Sequence, residues 1–182
     1  MRVSVYVALT NVAPFFRIAI FYAGAMHTLA LIAFLVLLAP AASAETIDGS
    51  ASVIDGDTIE IHGERIRITD LDAPELNQTC LLRDAGTEWP CGKVAASMLS
   101  EWITRYPVTC ETRGTDNAGR WLARCNVYTI DVATWIGGNG WGVPNQDCRC
   151  EAVRAWVAFA RAKGMGIWTS DFVMPWVWRT TQ

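Results

Sequence analysis

Isoleucines alternate with other residues in two short segments of the chain. Ile59 and Ile61 have this spacing, and so do Ile66 and Ile68. A period of two is typical of strands with one buried face, and the His-Gly-Glu sequence between the segments indicates a turn. Together with neighbouring apolar runs, these segments predict five strands, at residues 50–54, 58–61, 65–70, 108–113 and 121–130.

Other segments have helical spacing. Val94, Met98, Trp102 and Ile103 lie close to a 3.6-residue repeat, which predicts a helix over residues 93–105. Two more helices are predicted over residues 131–137 and 150–163, each ending at glycine, and residues 71–90 are predicted as a long irregular loop. Five short strands combined with helices indicate a small β-barrel with helices packed on it, an α+β fold.

Tryptophan is unusually frequent, with nine residues in the chain. We interpret these side chains mainly as core residues of the barrel, in particular Trp102, Trp156 and Trp168. A core role is also expected for Trp141, whose alternative is stacking on a nucleobase.

Residues 1–44 differ in composition from the rest. They contain no acidic residue, and an apolar run over residues 29–39 is followed by Ala42-Ser43-Ala44. This pattern predicts a signal peptide cleaved before Glu45, and therefore an exported protein, secreted or periplasmic. The alternative is an uncleaved membrane anchor at residues 18–39, a span long enough to cross a bilayer. Residues 45–182 suit one domain with a single core.

The domain is acidic. Because Arg2 and Arg17 are the only charged residues before Glu45, the remainder carries 13 Lys+Arg and 18 Asp+Glu, a formal charge of −5. Such a balance excludes a long basic surface that would bind nucleic acid non-specifically. Any phosphate binding must then come from a few local arginines together with a cation.

All six cysteines lie in this domain, and an even number in an exported chain favours disulfides. The candidates are the loop-bracketing pair Cys80 and Cys91 and the strand pair Cys110 and Cys125. Cys148 and Cys150 are also disulfide candidates, but a bridge across one residue is strained, so their pairing stays open. A zinc site is the alternative, but His62 is the single histidine after the predicted cleavage point, so ligands are few.

Carboxylates and arginines are concentrated within 21 residues. Residues two apart on a strand point to one face, so two pairs of aspartates and one pair of arginines are each placed together. Oxygen-rich sites suit calcium, and guanidinium groups bind phosphate oxygens in pairs. Taken singly, Asp55 is interpreted as a turn residue, Asp70 as a strand-end cap and Arg65 as a solvated strand residue. The candidate carboxylates and arginines of this 21-residue segment are Asp55, Asp57, Asp70, Asp72, Arg65, Arg67 and Glu75.

Three motifs occur in order along the chain. Val-Ile-Asp-Gly-Asp-Thr starts at Val53, Arg-x-Arg-x-x-x-x-Asp-Ala-Pro-Glu starts at Arg65, and Asp-Asn-Ala-Gly-Arg ends at Arg120. With these motifs the chain resembles the staphylococcal nuclease (thermonuclease) family over residues 50–168. The resemblance implies a five-stranded OB-type barrel with three helices, and calcium-dependent hydrolysis of DNA and RNA phosphodiesters.

The resemblance also implies a role for each matching residue. Asp57 and Asp72 correspond to the calcium carboxylates, Ala73 to the residue lending a backbone carbonyl, and Asp55 to an outer-shell position. Arg67 and Arg120 correspond to the phosphate-binding arginines, and Glu75 to the general base or water-orienting carboxylate.

The chain differs from the family's best-known members at positions that bind the substrate. Asn117 and Ala118 replace a lysine and a tyrosine that bind and stack a terminal nucleotide, and the segment after Gly140 has no tyrosine. The leading hypothesis is a monomeric calcium-dependent nuclease acting on single-stranded or denatured DNA, or on RNA, with no dedicated protein partner. A second is a non-catalytic OB-fold module that binds protein or oligonucleotide. A third is an anchored envelope protein whose cation only stabilises the barrel.

Overall fold

The computed structural model of the chain describes residues 44–182, so the predicted signal peptide and the alternative anchor at residues 18–39 lie outside the described residues. Along residues 44–182, no helix combines the length and the apolarity needed to cross a membrane. Ala44–Gln182 forms one compact unit.

Residues 44–182 form twelve strands, several of them only two residues long. They are β1 (Thr46–Gly49), β2 (Ala51–Val53), β3 (Thr58–Ile61), β4 (Glu64–Ile68), β5 (Leu71–Asp72), β6 (Cys80–Leu82), β7 (Glu88–Trp89), β8 (Val108–Thr115), β9 (Trp121–Val127), β10 (Ile130–Asp131), β11 (Val143–Pro144) and β12 (Ser170–Asp171). The helices are α1 (Cys91–Ile103), α2 (Val132–Gly138), α3 (Glu151–Ala162) and α4 (Pro175–Trp178), with a 3₁₀ helix at Gly166–Thr169.

The main sheet closes into a barrel through β1 and β2. Its strand order is β1-β8-β9-β4-β3-β2, with β4 and β9 parallel and the other pairs antiparallel. Only Ser50 separates β1 from β2, so the two ends of this order are halves of one strand that pairs on both sides. The predicted fold class, an α+β barrel of five main strands with helices, is confirmed.

The alternating isoleucines form the centre of the core. Ile59, Ile61, Ile66 and Ile68 are fully buried, and Ile59 lies opposite Ile66 in the β3–β4 register. Their spacing places all four on the inner face of the barrel, as the pattern predicted.

Two parts of the predicted layout are wrong. Residues 71–90 are not an irregular loop throughout, because β6 pairs with both β7 and the distant β12. The first strand also begins earlier than residue 50, since β1 pairs with β8 from Thr46 onward. In both cases the strand is stabilised by a partner far away in sequence, which local pattern does not reveal.

The tryptophans divide into two groups. Trp168 is buried, Trp102 stacks on Trp135 with ring centroids 4.3 Å apart, and Trp141 packs partly buried against the core. The prediction that Trp156 is a core residue is wrong, because half of its surface is exposed. The buried side of α3 is formed by Val153, Val157 and Ala160, and Trp156 lies at the edge of that stripe, beside Gly138 and edge-on to Phe159.

All six cysteines form disulfides, and two of the three pairs are the ones that the sequence favoured, whereas the pairing of Cys148 and Cys150 had been left open. The disulfides are Cys80–Cys91, Cys110–Cys125 and Cys148–Cys150. The second joins residues directly opposite each other on β8 and β9. Since the described residues include every cysteine and none is free, the zinc alternative has no thiolate ligands.

Candidate functional site

Asp57 is held at one end of the barrel, in the turn that leads into β3. Its backbone N–H donates to the Asp55 carboxylate at 3.0 Å, and its backbone carbonyl accepts from Ile68 at 2.8 Å. The carboxylate is buried and accepts hydrogen bonds from the Thr58 hydroxyl and the Ala73 backbone N–H, both at 3.1 Å. The turn after β2 and the segment after β5 are therefore joined through this one side chain.

Gly56 allows these two segments to approach closely. A Cβ atom at this position would lie 2.6 Å from the Cβ of Ala73 and 3.4 Å from that of Ala95. The glycine of the Asp-Gly-Asp sequence is thus required by packing between the two aspartate-bearing segments.

We expect Gly56→Ala to destabilise the protein by about 1–3 kcal/mol, because the added methyl group overpacks the contact with Ala73. Thermal unfolding of the variant measures the loss. The double variant Gly56→Ala/Ala73→Gly removes the opposing methyl group and should recover most of the stability. Additive losses in the double variant would contradict this explanation.

Arg67 lies between the two aspartates predicted to bind the cation. One of its terminal nitrogens donates to Asp72 at 2.7 Å and lies 3.2 Å from Asp57. Asp72 is buried on β5, and only 15% of the Arg67 side chain is exposed. The two motifs are therefore joined by a buried bridge in which one guanidinium contacts two carboxylates.

Burial and charge act in opposite directions on this bridge. Burial raises the pKa of Asp57 to about 8, although Arg67 beside it acts to lower the pKa. Burial also lowers the pKa of Arg67, but Asp57 and Asp72 more than offset this effect, so its pKa stays above the usual value. Arg67 therefore remains charged, and its positive charge lies between two buried carboxylates.

Glu75 lies beyond Pro74 in a tight turn. The Gln78 backbone N–H donates to the Glu75 carbonyl at 2.7 Å, and the Glu75 N–H donates to the Gln78 side chain at 3.3 Å. The first turn of α1 packs directly against this segment, with the Gly92 N–H donating to the Gln78 carbonyl at 3.2 Å. The Glu75 carboxylate is partly exposed on the same side of the barrel as Asp72.

Arg120 is positioned by Asp116, four residues earlier. The Asp116 carboxylate accepts from the backbone of Ala118 and Arg120 and from the Arg120 guanidinium at 2.8 Å. Burial acts to raise the pKa of Asp116, but hydrogen bonds from Arg120 and Ala118 outweigh it and lower the pKa. The far nitrogen of Arg120 lies 3.4 Å from the Thr58 hydroxyl, so Arg120 faces the Asp57 side of the site.

The remaining candidates lie outside the bridge. Asp55 acts as a turn residue through its hydrogen bond to the Asp57 backbone. Asp70 has a left-handed backbone between β4 and β5, and its carboxylate lies 3.9 Å from Arg113. Arg65 is 67% exposed and lies 3.9 Å from Glu60. The positions of Asp55 and Arg65 agree with the single-residue interpretations made from the sequence, whereas the Asp70 carboxylate lies near Arg113 instead of capping a strand end.

Sequence reasoning missed Arg179, which follows α4. Its two terminal nitrogens donate to the two oxygens of Asp72 at 2.9 and 2.8 Å, and one of them also donates to Glu75. The hydrogen bond to Asp72 holds the pKa of Arg179 above its usual value. No local signal could identify it, because its partners lie more than 100 positions earlier. Asp116 was also missed, although its place in the Asp-Asn-Ala-Gly turn before Arg120 was a usable signal.

The donors suit a hard cation in type, but their oxygens already have partners. Asp57, Asp72 and the Ala73 carbonyl offer only oxygen, as calcium requires. Both Asp72 oxygens accept from Arg179, and one also accepts from Arg67. Along residues 44–182, no group of three or more His, Cys, Asp or Glu side chains is arranged to hold a metal ion. The residues therefore fit calcium only if Arg179 moves away from Asp72.

An open groove of about 500 Å³ borders the bridge. Asp72 and Arg179 line the groove together with Arg113, Asn145 and Trp176. The β5–β11 pairing, with Asp72 opposite Val143, places this wall beside the carboxylates. An extended ligand in the groove would lie directly against the charged cluster.

A scan of the chain against models of protein families finds no match. A search of curated proteins finds the succinoglycan biosynthesis protein ExoI of Rhizobium meliloti (strain 1021), which is 38% identical over 144 residues. The match covers 78% of this chain and 75% of the relative. This chain belongs to the ExoI family.

The similarity to the ExoI protein is not confined to the charged motifs. At 144 residues, it extends well beyond the 21 residues that contain most of the carboxylates and arginines. The ExoI family membership therefore concerns most of the chain rather than the site alone.

Proposed function

We propose that this protein is a calcium-dependent nuclease that hydrolyses phosphodiester bonds of DNA or RNA. The observation that carries the proposal is the convergence of Asp57, Asp72, Arg67 and Glu75 at one end of the barrel, with Arg120 facing the same place through Thr58. The resemblance to the staphylococcal nuclease family supports it, because the same residues match the motifs of that family.

A phosphodiester is an anion, and hydrolysis gathers further negative charge on its oxygens. Arg67 and Arg120 can bind these oxygens, since each guanidinium presents several donors. Arg120 is held through its Nε by Asp116, which leaves its terminal nitrogens directed toward Thr58. Fixed donors of this kind stabilise the transition state without reorganisation.

Glu75 is the candidate to orient water or accept its proton. It is partly exposed, in contrast to the buried aspartates, and it shares the Arg179 guanidinium with Asp72. A calcium ion held by Asp57, Asp72 and the Ala73 carbonyl would supply further positive charge to the phosphate oxygens.

The first test uses the purified full-length chain with denatured DNA, in calcium or in chelator. We expect cleavage that depends on calcium. Gel electrophoresis of a labelled strand measures it. The net negative charge of the domain weakens its attraction for nucleic acid, which should raise KM more than it lowers kcat. Absence of chelator-sensitive cleavage at micromolar enzyme would reject the proposal.

In the same assay, Glu75→Gln should lower kcat by roughly 100-fold or more, since it removes a proton acceptor without changing side-chain size. Glu101→Gln is the matched control, because Glu101 is exposed on α1 away from the site. Equal rates for the two variants would exclude Glu75 from the reaction.

A second candidate function is a non-catalytic module that binds an oligonucleotide or a protein. The formal charge of −5 after residue 44 and the arginine partners of the carboxylates favour it. Under this hypothesis, binding of a fluorescent oligonucleotide, measured by anisotropy, would be unchanged by Glu75→Gln, and no strand would be cut.

A further inference from the structure

The C-terminal residues hold an arginine in the position that a cation would need. Arg179 uses both terminal nitrogens on the two oxygens of Asp72, a forked arrangement that matches a carboxylate well. It reaches Glu75 with the same group. One side chain thus contacts both a predicted cation ligand and the predicted water-orienting carboxylate.

The segment that carries Arg179 is anchored independently of that contact. The Gln78 side chain donates to the Val173 carbonyl at 2.6 Å, Pro175 is buried, and the Trp178 indole donates to Asn77 at 3.3 Å. The Arg179 side chain itself is about one-third exposed. It can therefore leave Asp72 by rotating into solvent while α4 stays in place.

A cation and Arg179 compete for the Asp72 oxygens. Both are positive and repel each other at this short distance, and Arg179 already donates to both oxygens. Arg67 differs, because it contacts Asp72 through one nitrogen and one oxygen only, and it also contacts Asp57. Arg179 is therefore the group whose departure frees the second Asp72 oxygen.

We propose that Arg179 is an internal competitor of the cation, so that the C-terminal segment keeps the site in a closed, inactive state until a divalent cation displaces the guanidinium. This inference rests on the proposed calcium site and adds a built-in regulator to it. The competing ligand is a hard divalent cation, because Arg179 covers carboxylate oxygens and such cations prefer oxygen ligands.

The test measures calcium binding by the full-length chain with isothermal titration calorimetry. Arg179→Gln should bind calcium about tenfold more tightly than the wild-type chain, because one competing charge and two hydrogen bonds are removed. Arg179→Lys, which keeps the charge without the fork, should fall between the two. Lys163→Gln is the matched control, since it makes the same charge change at an exposed position after α3.

The outcomes separate this inference from the nuclease proposal. Tighter calcium binding by Arg179→Gln, with no change in Lys163→Gln, supports the competitor role even if neither chain cuts nucleic acid. Equal or weaker calcium binding by Arg179→Gln overturns it, even if the wild-type chain is a calcium-dependent nuclease. Failure of every variant to bind calcium also overturns it.

Discussion

Replacing Arg67 by alanine should destabilise the protein by about 3–5 kcal/mol, because it leaves two buried carboxylates without their shared partner. Asp57 and Asp72 are both buried, and Arg67 lies within 3.2 Å of each. For a domain of this size the loss corresponds to a decrease in Tm of roughly 10–20 °C. Thermal unfolding followed by circular dichroism measures it.

Arg65→Ala is the natural control for this experiment. Arg65 lies two residues earlier on the same strand, but it is exposed and its nearest carboxylate, on Glu60, is 3.9 Å away. We expect the control to change stability by less than about 1 kcal/mol, as is usual for exposed ion pairs. A similar decrease in Tm for both variants would mean that the Arg67 bridge has no special role.

Replacing Gly92 by alanine should have the second large effect. A Cβ atom there would overlap the backbone carbonyl of Glu75, and a backbone atom cannot move aside as a flexible side chain can. We expect a loss of about 3 kcal/mol, at the upper end for overpacking. Because the displaced segment carries Glu75, the rate of any nucleic-acid cleavage should decrease as well, and both quantities can be measured on one preparation.

Gly138→Ala is the matched control, since it is also a glycine within a helix. A Cβ atom at Gly138 would lie 3.3 Å from the Trp156 ring, which is half exposed. The ring can shift, and alanine is the better helix former, so we expect little change in stability. Equal losses at Gly92 and Gly138 would argue against the contact between α1 and the Glu75 segment.

The site could be predicted from the sequence where its members are local. Asp57, Arg67 and Asp72 lie within 16 residues: Asp57 directly precedes β3, Arg67 lies on β4, which pairs with β3, and Asp72 follows on β5. This short separation and the two motifs were enough to predict that they meet. Arg120 required the third motif, but β9 pairs directly with β4 and thereby brings its start to the same end of the barrel.

Arg179 could not be predicted in the same way. α4 has only four residues, too few for a periodic pattern, and Arg179 is 107 positions from Asp72. β6 and β12 were missed for the same reason. Both are short, and they pair with each other across a long separation in sequence. Trp156 was misplaced because high apolarity was taken as evidence of burial, whereas its ring lies at the edge of the buried side of α3 and stays half exposed.

By itself, the sequence determined the barrel, its isoleucine core, two of the three disulfides and the two aspartates that flank Arg67. These features follow from strand spacing and from residue chemistry over short separations. Only the tertiary structure decided that Arg179 covers Asp72 and Glu75, because that contact depends on where the chain ends after the whole barrel has folded. Local physics sets which groups share a strand face, and long-range packing sets which charges finally meet.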